Sequence, residues 1–213
     1  MMACFPVACG GCNQPLSHQP QYLLCPLCSG AIADNPEPSK AKIPSGVRSY
    51  APYLYGGPLE NMITAAKFRG RIDLTRALAE LLMAAPRTKS LLKRSDLLVP
   101  MPLSAIRHFQ RGYNQSHEIA KALGQFGHIP VHRGWRRRHR RPQHLLGRQE
   151  RLTNLRDAFK APKGVENKRV LLVDDIVTTG ATLAEASKVL LASGAQKVRA
   201  IAVAEANWSY LKT

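Results

Sequence analysis

The chain has 213 residues, enough to bury a full core in one main domain with room for a small appendage. Its hydrophobic fraction of 45% fits a globular protein, and no apolar run approaches the roughly 18 residues needed to cross a bilayer. The formal net charge of +17 says nothing about fold, but it predicts long-range attraction to polyanions: nucleic acid, acidic partners or a membrane surface.

The opening MMACFPVACGGC has neither a basic n-region nor a sufficient apolar core for a signal peptide, so a cytoplasmic location is expected. All five cysteines, Cys4, Cys9, Cys12, Cys25 and Cys28, fall within the first 28 residues. Cys9 to Cys28 reads CGGC, twelve residues, then CPLC. Two C-x-x-C pairs at that separation can turn as two knuckles whose four thiolates converge tetrahedrally on one zinc, and Gly10, Gly11 and Pro26 suit the turns. Disulfides and a redox C-x-x-C are the alternatives. A cytosolic location disfavours the first, and the second is ordinarily single and set near a strand and helix. Residues 1–32 are therefore expected to form a small zinc-ribbon module in which Cys9, Cys12, Cys25 and Cys28 hold a structural zinc ion, with Cys4 left over as a small apolar residue.

ADNPEPSKAKIPSG follows, with three prolines and no apolar period, and makes residues 33–46 a linker to a main domain at 47–213. VRSYAPYLY is a strand signal weakened by Pro52. Leu59, Met62, Ile63 and Ala66 keep the spacing of an amphipathic helix, and Leu74 to Ala85 predicts another, ended by Pro86. DLLVPM, Asp96 to Met101, is a short buried-type strand. A helix from about Gln115 to Leu123 turns Ile119, Ala120 and Leu123 inward, and Ile129 to Val131 suggests a further strand. Then comes the densest charge run of the chain, His132 to Arg151. Arg169 to Val173 predicts a strand, Leu183 to Ala192 a helix and Val198 to Val203 a closing strand. Strands alternating with helices predict an α/β domain around a mostly parallel sheet flanked by helices.

The chemistry concentrates in VLLVDDIVTTGAT, Val170 to Thr182. In parallel α/β sheets ligands bind beyond the carboxyl ends of the strands, where Asp174 and Asp175 stand. The loop after them offers backbone N–H groups, the hydroxyls of Thr178, Thr179 and Thr182, and the positive end of the helix beginning near Leu183, while Gly180 permits close backbone approach. Carboxylates repel phosphate and the loop attracts it. A sugar phosphate reconciles the two, because the acids accept hydrogen bonds from ribose hydroxyls while the loop holds the phosphate. The chain has neither a G-x-x-x-x-G-K-[ST] nor a G-x-G-x-x-G after a strand, which sets aside P-loop and dinucleotide readings. An ordinary capped strand, turn and helix remains the plain alternative.

VLLVDDIVTTGAT resembles the phosphoribosyl pyrophosphate (PRPP) motif of type I phosphoribosyltransferases. The paired cysteines, VPMPLSAIRHFQRGYNQSHEIA and QHLLGRQERLTNLRDAF narrow the resemblance to the ComF/GntX family of bacterial competence and DNA-utilisation proteins. The resemblance implies a type I phosphoribosyltransferase-like sheet. It gives Asp174 and Asp175 the ribose hydroxyls, and Thr178, Thr179, Gly180, Ala181 and Thr182 the 5-phosphate. PMPLS, including Pro102 and Leu103, takes the position of the loop that meets the diphosphate and its magnesium, though the same residues also read as a proline-rich strand exit. Arg107 and Arg111 fall where guanidinium groups would neutralise the leaving pyrophosphate, or Arg111 pairs with a structural carboxylate while Gly112 to Asn114 shape the next helix start. Gln143, Leu146, Arg148, Arg151 and Asn154 match a family pattern in the region of a loop that closes over PRPP, or form a solvated basic loop. Lys67 and Phe68 match a family segment near the acceptor side, with Phe68 expected in the core.

Within the charge run, Arg136, Arg137, Arg138, Arg140 and Arg141, with Trp135 interleaved, suit single-stranded DNA, where guanidinium groups meet phosphates and a ring stacks on a base. No recognition helix for duplex DNA is evident. A loop serving PRPP alone would need only a few cations, so the excess favours a polyanion. Two functions follow from the resemblance and the residues. One is a PRPP-binding factor that handles single-stranded DNA in natural transformation or DNA utilisation, with partners in the competence machinery, such as a DNA helicase or translocase, that would hold it at the inner face of the membrane. The other is an active magnesium-dependent phosphoribosyltransferase with an unidentified nucleobase or other amine acceptor, displacing pyrophosphate through an oxocarbenium-like state.

Overall fold

The computed structural model describes residues 7–16, 21–34, 46–135, 159–160 and 162–206. At its centre are β3 (Leu97–Pro100), β4 (Arg169–Val177) and β5 (Lys197–Glu205), paired parallel in the order β3, β4, β5. Val170 to Val173 are almost wholly buried, because helices cover both faces; hence the unbroken apolar run in sequence. VRSYAPYLY gives two short strands instead of one. β1 (Ser49–Tyr50) and β2 (Tyr53–Leu54) each pair parallel with β5, and the break falls at Ala51 and Pro52, whose imide cannot donate to a ladder. On the other edge the expected strand at Ile129 to Val131 is a single parallel bridge between Val131 and Leu98.

Seven α-helices are described: α1 (Pro26–Ala33), α2 (Gly57–Phe68), α3 (Asp73–Ala84), α4 (Thr88–Lys93), α5 (Ala105–Arg111), α6 (Gln115–Gly127) and α7 (Ala181–Ala192). α2 buries Leu59, Met62, Ile63 and Ala66 as their spacing predicts. α3 stops at Ala84 because Ala85, which precedes Pro86, is driven to extended backbone. Two cores flank the sheet. Leu171, Val173, Ile201 and Val203 face α2, α3 and α6, whereas Val170, Leu172, Ala200 and Ala202 face α7. Downstream, Ile176 packs toward the first core and Val177 lies in the second, so the alternation of β4 slips by one residue at Asp174 and Asp175. The acidic pair occupies the point where neither face claims it.

The cysteine module is welded to the main domain. Cys9, Leu24, Cys28 and Ile32 belong to the same buried cluster as α2 and α3. Gly10 lies so close to α3 and α2 that a Cβ there would sit 2.7 Å from Leu74 Cδ2 and 3.1 Å from Met62 Cγ. Among the described residues the module contains one antiparallel bridge, Ala8 with Pro15, a short 3-10 helix (Gln21–Leu23) and the helix α1. Cys4 and residues 35–45, most of the expected linker, lie outside the described residues.

Candidate functional site

Cys9 and Cys12 stand on the turn closed by the Ala8 bridge, while Cys25 caps α1 and Cys28 sits in its first turn. All four Sγ atoms lie within 4.8 Å of one another, and Cys12 Sγ is 3.8 Å from Cys25 Sγ. A tetrahedral zinc with bonds near 2.3 Å would set its sulfurs about 3.8 Å apart. The Cys25 amide donates to Cys9 Sγ at 3.3 Å. Burial pushes the Cys9 thiol up, but the amides of Cys25, Cys12 and Gly11 outweigh it and hold it at about 6. Burial and then the neighbouring sulfurs push Cys28 upward. Four thiols so close ionise together only around a cation, so the cluster fits a metal such as zinc.

At the carboxyl ends of the strands a cleft of about 240 Å³ gathers residues from distant parts of the chain. Asp174 and Asp175 come from the end of β4, Thr178 and Gly180 from the loop into α7, Thr182 from its first turn, and Pro102, Leu103 and Ser104 from the exit of β3. Arg107 and Arg111 of α5, Lys67 of α2 and Ser116 of α6 complete it. Gly180 adopts φ +70°, the left-handed conformation glycine takes freely, and opens α7. Thr179 and Ala181 do not line the cleft; the Thr179 hydroxyl instead accepts from the Ala181 amide at 3.4 Å.

The acidic pair is held asymmetrically. Asp174 Oδ1 accepts from Ser116 Oγ at 3.0 Å and from the Asp175 amide at 2.9 Å, while Asp175 Oδ1 pairs with Lys67 Nζ at 2.9 Å. Burial first, and then the Asp175 charge, push the Asp174 carboxyl up to about 7. The Asp174 carboxyl therefore takes or releases a proton near neutrality.

RGYNQS, Arg111 to Ser116, proves to be the knot of the site. Arg111 Nη1 donates to Gln115 Oε1 at 3.1 Å, and the Tyr113 hydroxyl donates to the Ala66 carbonyl at the end of α2. Asn114 Nδ2 donates to the Met101 carbonyl at 2.9 Å, pinning the PMPLS turn. Ser116, to which the sequence assigned no role, reaches Asp174. A hydroxyl in the first turn of a helix carries no signal of its partner. The pairing of Lys67 with Asp175 was equally silent in sequence.

Two expectations are corrected. Phe68 is 69% exposed rather than in the core, with the Arg111 guanidinium 4.7 Å above its ring. The apolar stripe of α2 runs through Leu59, Met62, Ile63 and Ala66 and passes Phe68 by. Trp135 is no free stacking ring: it is buried, 5.3 Å from the Phe159 ring, with Nε1 donating to the Lys160 carbonyl at 2.6 Å. Arg136, Arg137, Arg138, Arg140 and Arg141, and with them Gln143, Leu146, Arg148, Arg151 and Asn154, lie outside the described residues.

A second cationic surface, unforeseen in sequence because its residues are scattered, lies at the opposite end of the sheet. Arg94, Arg169, Gln196, Lys197 and Arg199 line a depression of about 350 Å³ there. Only Arg169 has a carboxylate partner among them in the described residues: Asp96 grips it through two side-chain bonds of 2.5 and 2.9 Å, and Arg169 holds that carboxyl well below the usual range. No described helix is long and apolar enough to cross a membrane.

Residues 99–212 match the phosphoribosyl transferase domain family. The chain is 33% identical to the DNA utilization protein YhgH of Escherichia coli over 90% of its own length and 81% of that protein. It is 31% identical to competence protein F of Haemophilus influenzae, over 93% and 84%, and 27% identical to competence protein ComFC of Bacillus subtilis, over 87% and 78%. A match to the phosphoribosyl transferase domain over half the chain, together with these relatives along most of its length, makes this protein a member of the ComF/GntX family.

Proposed function

We propose that the cleft binds PRPP, and that the protein is a ComF-type PRPP-binding factor that handles single-stranded DNA in natural transformation or DNA utilisation. The observation that carries the first half is the convergence of two carboxylates, a glycine-opened helix N-terminus and two guanidinium groups on one cleft. The ribose hydroxyls fall to Asp174 and Asp175, the 5-phosphate to the loop at Thr178 to Thr182, and the diphosphate to the PMPLS turn with Arg107 and Arg111. Magnesium bound together with PRPP would supply charge neutralisation to the diphosphate beside the PMPLS turn, Arg107 and Arg111. The test is magnesium-dependent thermal stabilisation by PRPP that disappears in the double variant Asp174→Ala, Asp175→Ala. No shift of the native protein at saturating PRPP refutes the reading.

The second half is supported by the net charge of +17, by the cationic depression around Arg94 and Arg199, and by relatives named for DNA utilisation and competence. It requires oligonucleotide binding that weakens steeply with salt, and absence of binding at low salt removes it. A structural zinc in the four-cysteine cluster completes the reading, with close to one zinc per chain expected in protein purified without chelators.

A transferase remains the second reading, favoured by one observation: a further pocket opens beside the cleft and shares Lys67, Arg107 and Arg111 with it. In that case Asp174 and Asp175 face the sugar as positive charge develops on it, while Arg107 and Arg111 face the departing diphosphate.

A further inference from the structure

The four clustered cysteines share one chemistry and differ in access. Cys9 and Cys28 are buried, at 1% and 7% exposure, whereas Cys12 is exposed and Cys25 half-buried. The local backbone deepens that difference. Cys9 Sγ accepts the Cys25 amide at 3.3 Å, which engages a lone pair of that sulfur. Cys28 Sγ lies beneath the Gly11 backbone, so close that a Cβ on Gly11 would sit 2.8 Å from it.

The two accessible cysteines come one from each C-x-x-C knuckle, Cys12 from the turn and Cys25 from the cap of α1. Their Sγ atoms stand 3.8 Å apart. Disulfide sulfurs are about 2.05 Å apart, so the two need to approach by only about 1.8 Å to bond across the knuckles. The cluster therefore pairs an exposed sulfur that a small oxidant reaches first with a second one placed to resolve it.

We propose that Cys12 and Cys25 are an oxidation site: hydrogen peroxide links them as a disulfide across the two knuckles, and the cluster gives up its metal. The Cys12 thiolate attacks one peroxide oxygen, the O–O bond breaks, and Cys12 becomes a sulfenic acid while the other oxygen leaves as water after taking a proton. The Cys25 thiolate then attacks the Cys12 sulfur, the S–S bond forms, and the departing hydroxide takes a second proton. Two sulfurs have lost two electrons in all, and one peroxide has become two waters. Cys9 and Cys28 alone no longer complete the tetrahedral set of a structural zinc. The release of metal rests on the zinc reading of the cluster, whereas the choice of sulfurs does not.

The test uses the full chain purified without chelators. Its zinc is first counted by elemental analysis; peroxide is then added in limiting amounts beside a metallochromic chelator, free thiols are trapped by alkylation, and the peptides are mapped by mass spectrometry. The first link is expected between Cys12 and Cys25, with Cys9 and Cys28 recovered as thiols and one zinc released per peroxide consumed. A dithiol reductant with added zinc should restore the original metal content. Cys12→His keeps a nitrogen ligand for zinc and removes the exposed thiol, so its zinc should be released about tenfold more slowly.

A first link within one knuckle, Cys9 to Cys12 or Cys25 to Cys28, overturns the proposal, and so does one through Cys4. Oxidation that stops at sulfinic acid without a disulfide does the same, as does zinc that stays bound once Cys12 and Cys25 are linked. This mapping of the native chain decides the matter even where Cys12→His fails to load zinc. A chain that holds no zinc and still links Cys12 to Cys25 removes the zinc reading and leaves the oxidation site standing; a zinc-loaded chain that links elsewhere removes the site alone.

Discussion

Asp174→Asn is expected to make the ligand-free protein more stable while abolishing its response to PRPP. The Asp174 carboxyl is pushed up to about 7 from an ordinary value of 3.8, by burial and then by the Asp175 charge. Below pH 3.8 both folded and unfolded chains carry it protonated, and it costs folding nothing. As pH rises the unfolded chain ionises first, so the folded state loses stability progressively until about pH 7, where the loss levels off. At about 1.4 kcal/mol per unit, the loss is on the order of 2 kcal/mol at pH 5 and on the order of 4 kcal/mol at pH 8. Asparagine stays neutral throughout and keeps Oδ1 as acceptor for Ser116 Oγ and the Asp175 amide. Thermal unfolding should therefore show the variant melting on the order of 10 °C higher at pH 8, with less than half that gain at pH 5. Melting scans across this range, with and without PRPP and magnesium, decide the matter. A gain that does not depend on pH, or a variant no more stable than the native chain at pH 8, refutes the assignment of strain to this carboxylate.

Lys67→Met should have the opposite effect, lowering stability by about 2 to 3 kcal/mol, because Asp175 is only 12% exposed and loses its counter-ion; denaturant midpoints measure this. Gly11→Ala places a Cβ 2.8 Å from both Cys28 Sγ and Pro58 Cβ, so the knuckle and α2 must part. Zinc content by elemental analysis should fall below one per chain, with a loss of about 1 to 3 kcal/mol, whereas Gly30→Ala, which meets nothing within 4 Å, should retain the metal. Charge reversal of Arg94, Lys197 and Arg199 together should weaken single-stranded DNA binding and reduce the slope of log affinity against log salt by about 2, read from filter or anisotropy titrations.

How much of this was legible in the sequence depended on the range of the interaction. β3, β4 and β5 were readable because a strand covered on both faces is a continuous apolar run, and the pattern needs no knowledge of its neighbours. α2, α3 and α6 declared themselves by their buried stripes. α4 and α5 did not, being six and seven residues long; α5 even turns Ile106 and Phe109 outward, so no stripe exists to be found. The cleft followed the same rule. Asp174, Asp175 and Gly180 belong to one local motif and were read together. Ser116 and Lys67 reach that motif from 58 and 108 residues away in the chain, and although both fall in segments that carry the family resemblance, nothing local names their carboxylate partners. Trp135 misled for a related reason: its neighbours in sequence are arginines, but its partner Phe159 lies beyond the whole charge run.

The N-terminal cysteines and the cleft look like separate modules in sequence, and α2 is why they are not separate in the fold. Its N-terminal half is fixed by the cysteine turn: Asn61 Nδ2 donates to the Gly11 carbonyl at 2.7 Å, and Pro58 packs against Gly11. Its last turn supplies the site, with the Ala66 carbonyl accepting from Tyr113, Lys67 paired to Asp175 and Phe68 under Arg111. Twelve helical residues span about 18 Å, and a helix buried along one face moves as a rigid rod. A shift of the cysteine turn is then transmitted to Lys67 instead of being absorbed on the way. The cysteine cluster and the cleft are thus tied together through α2, whose last turn carries the ammonium group that pairs with Asp175.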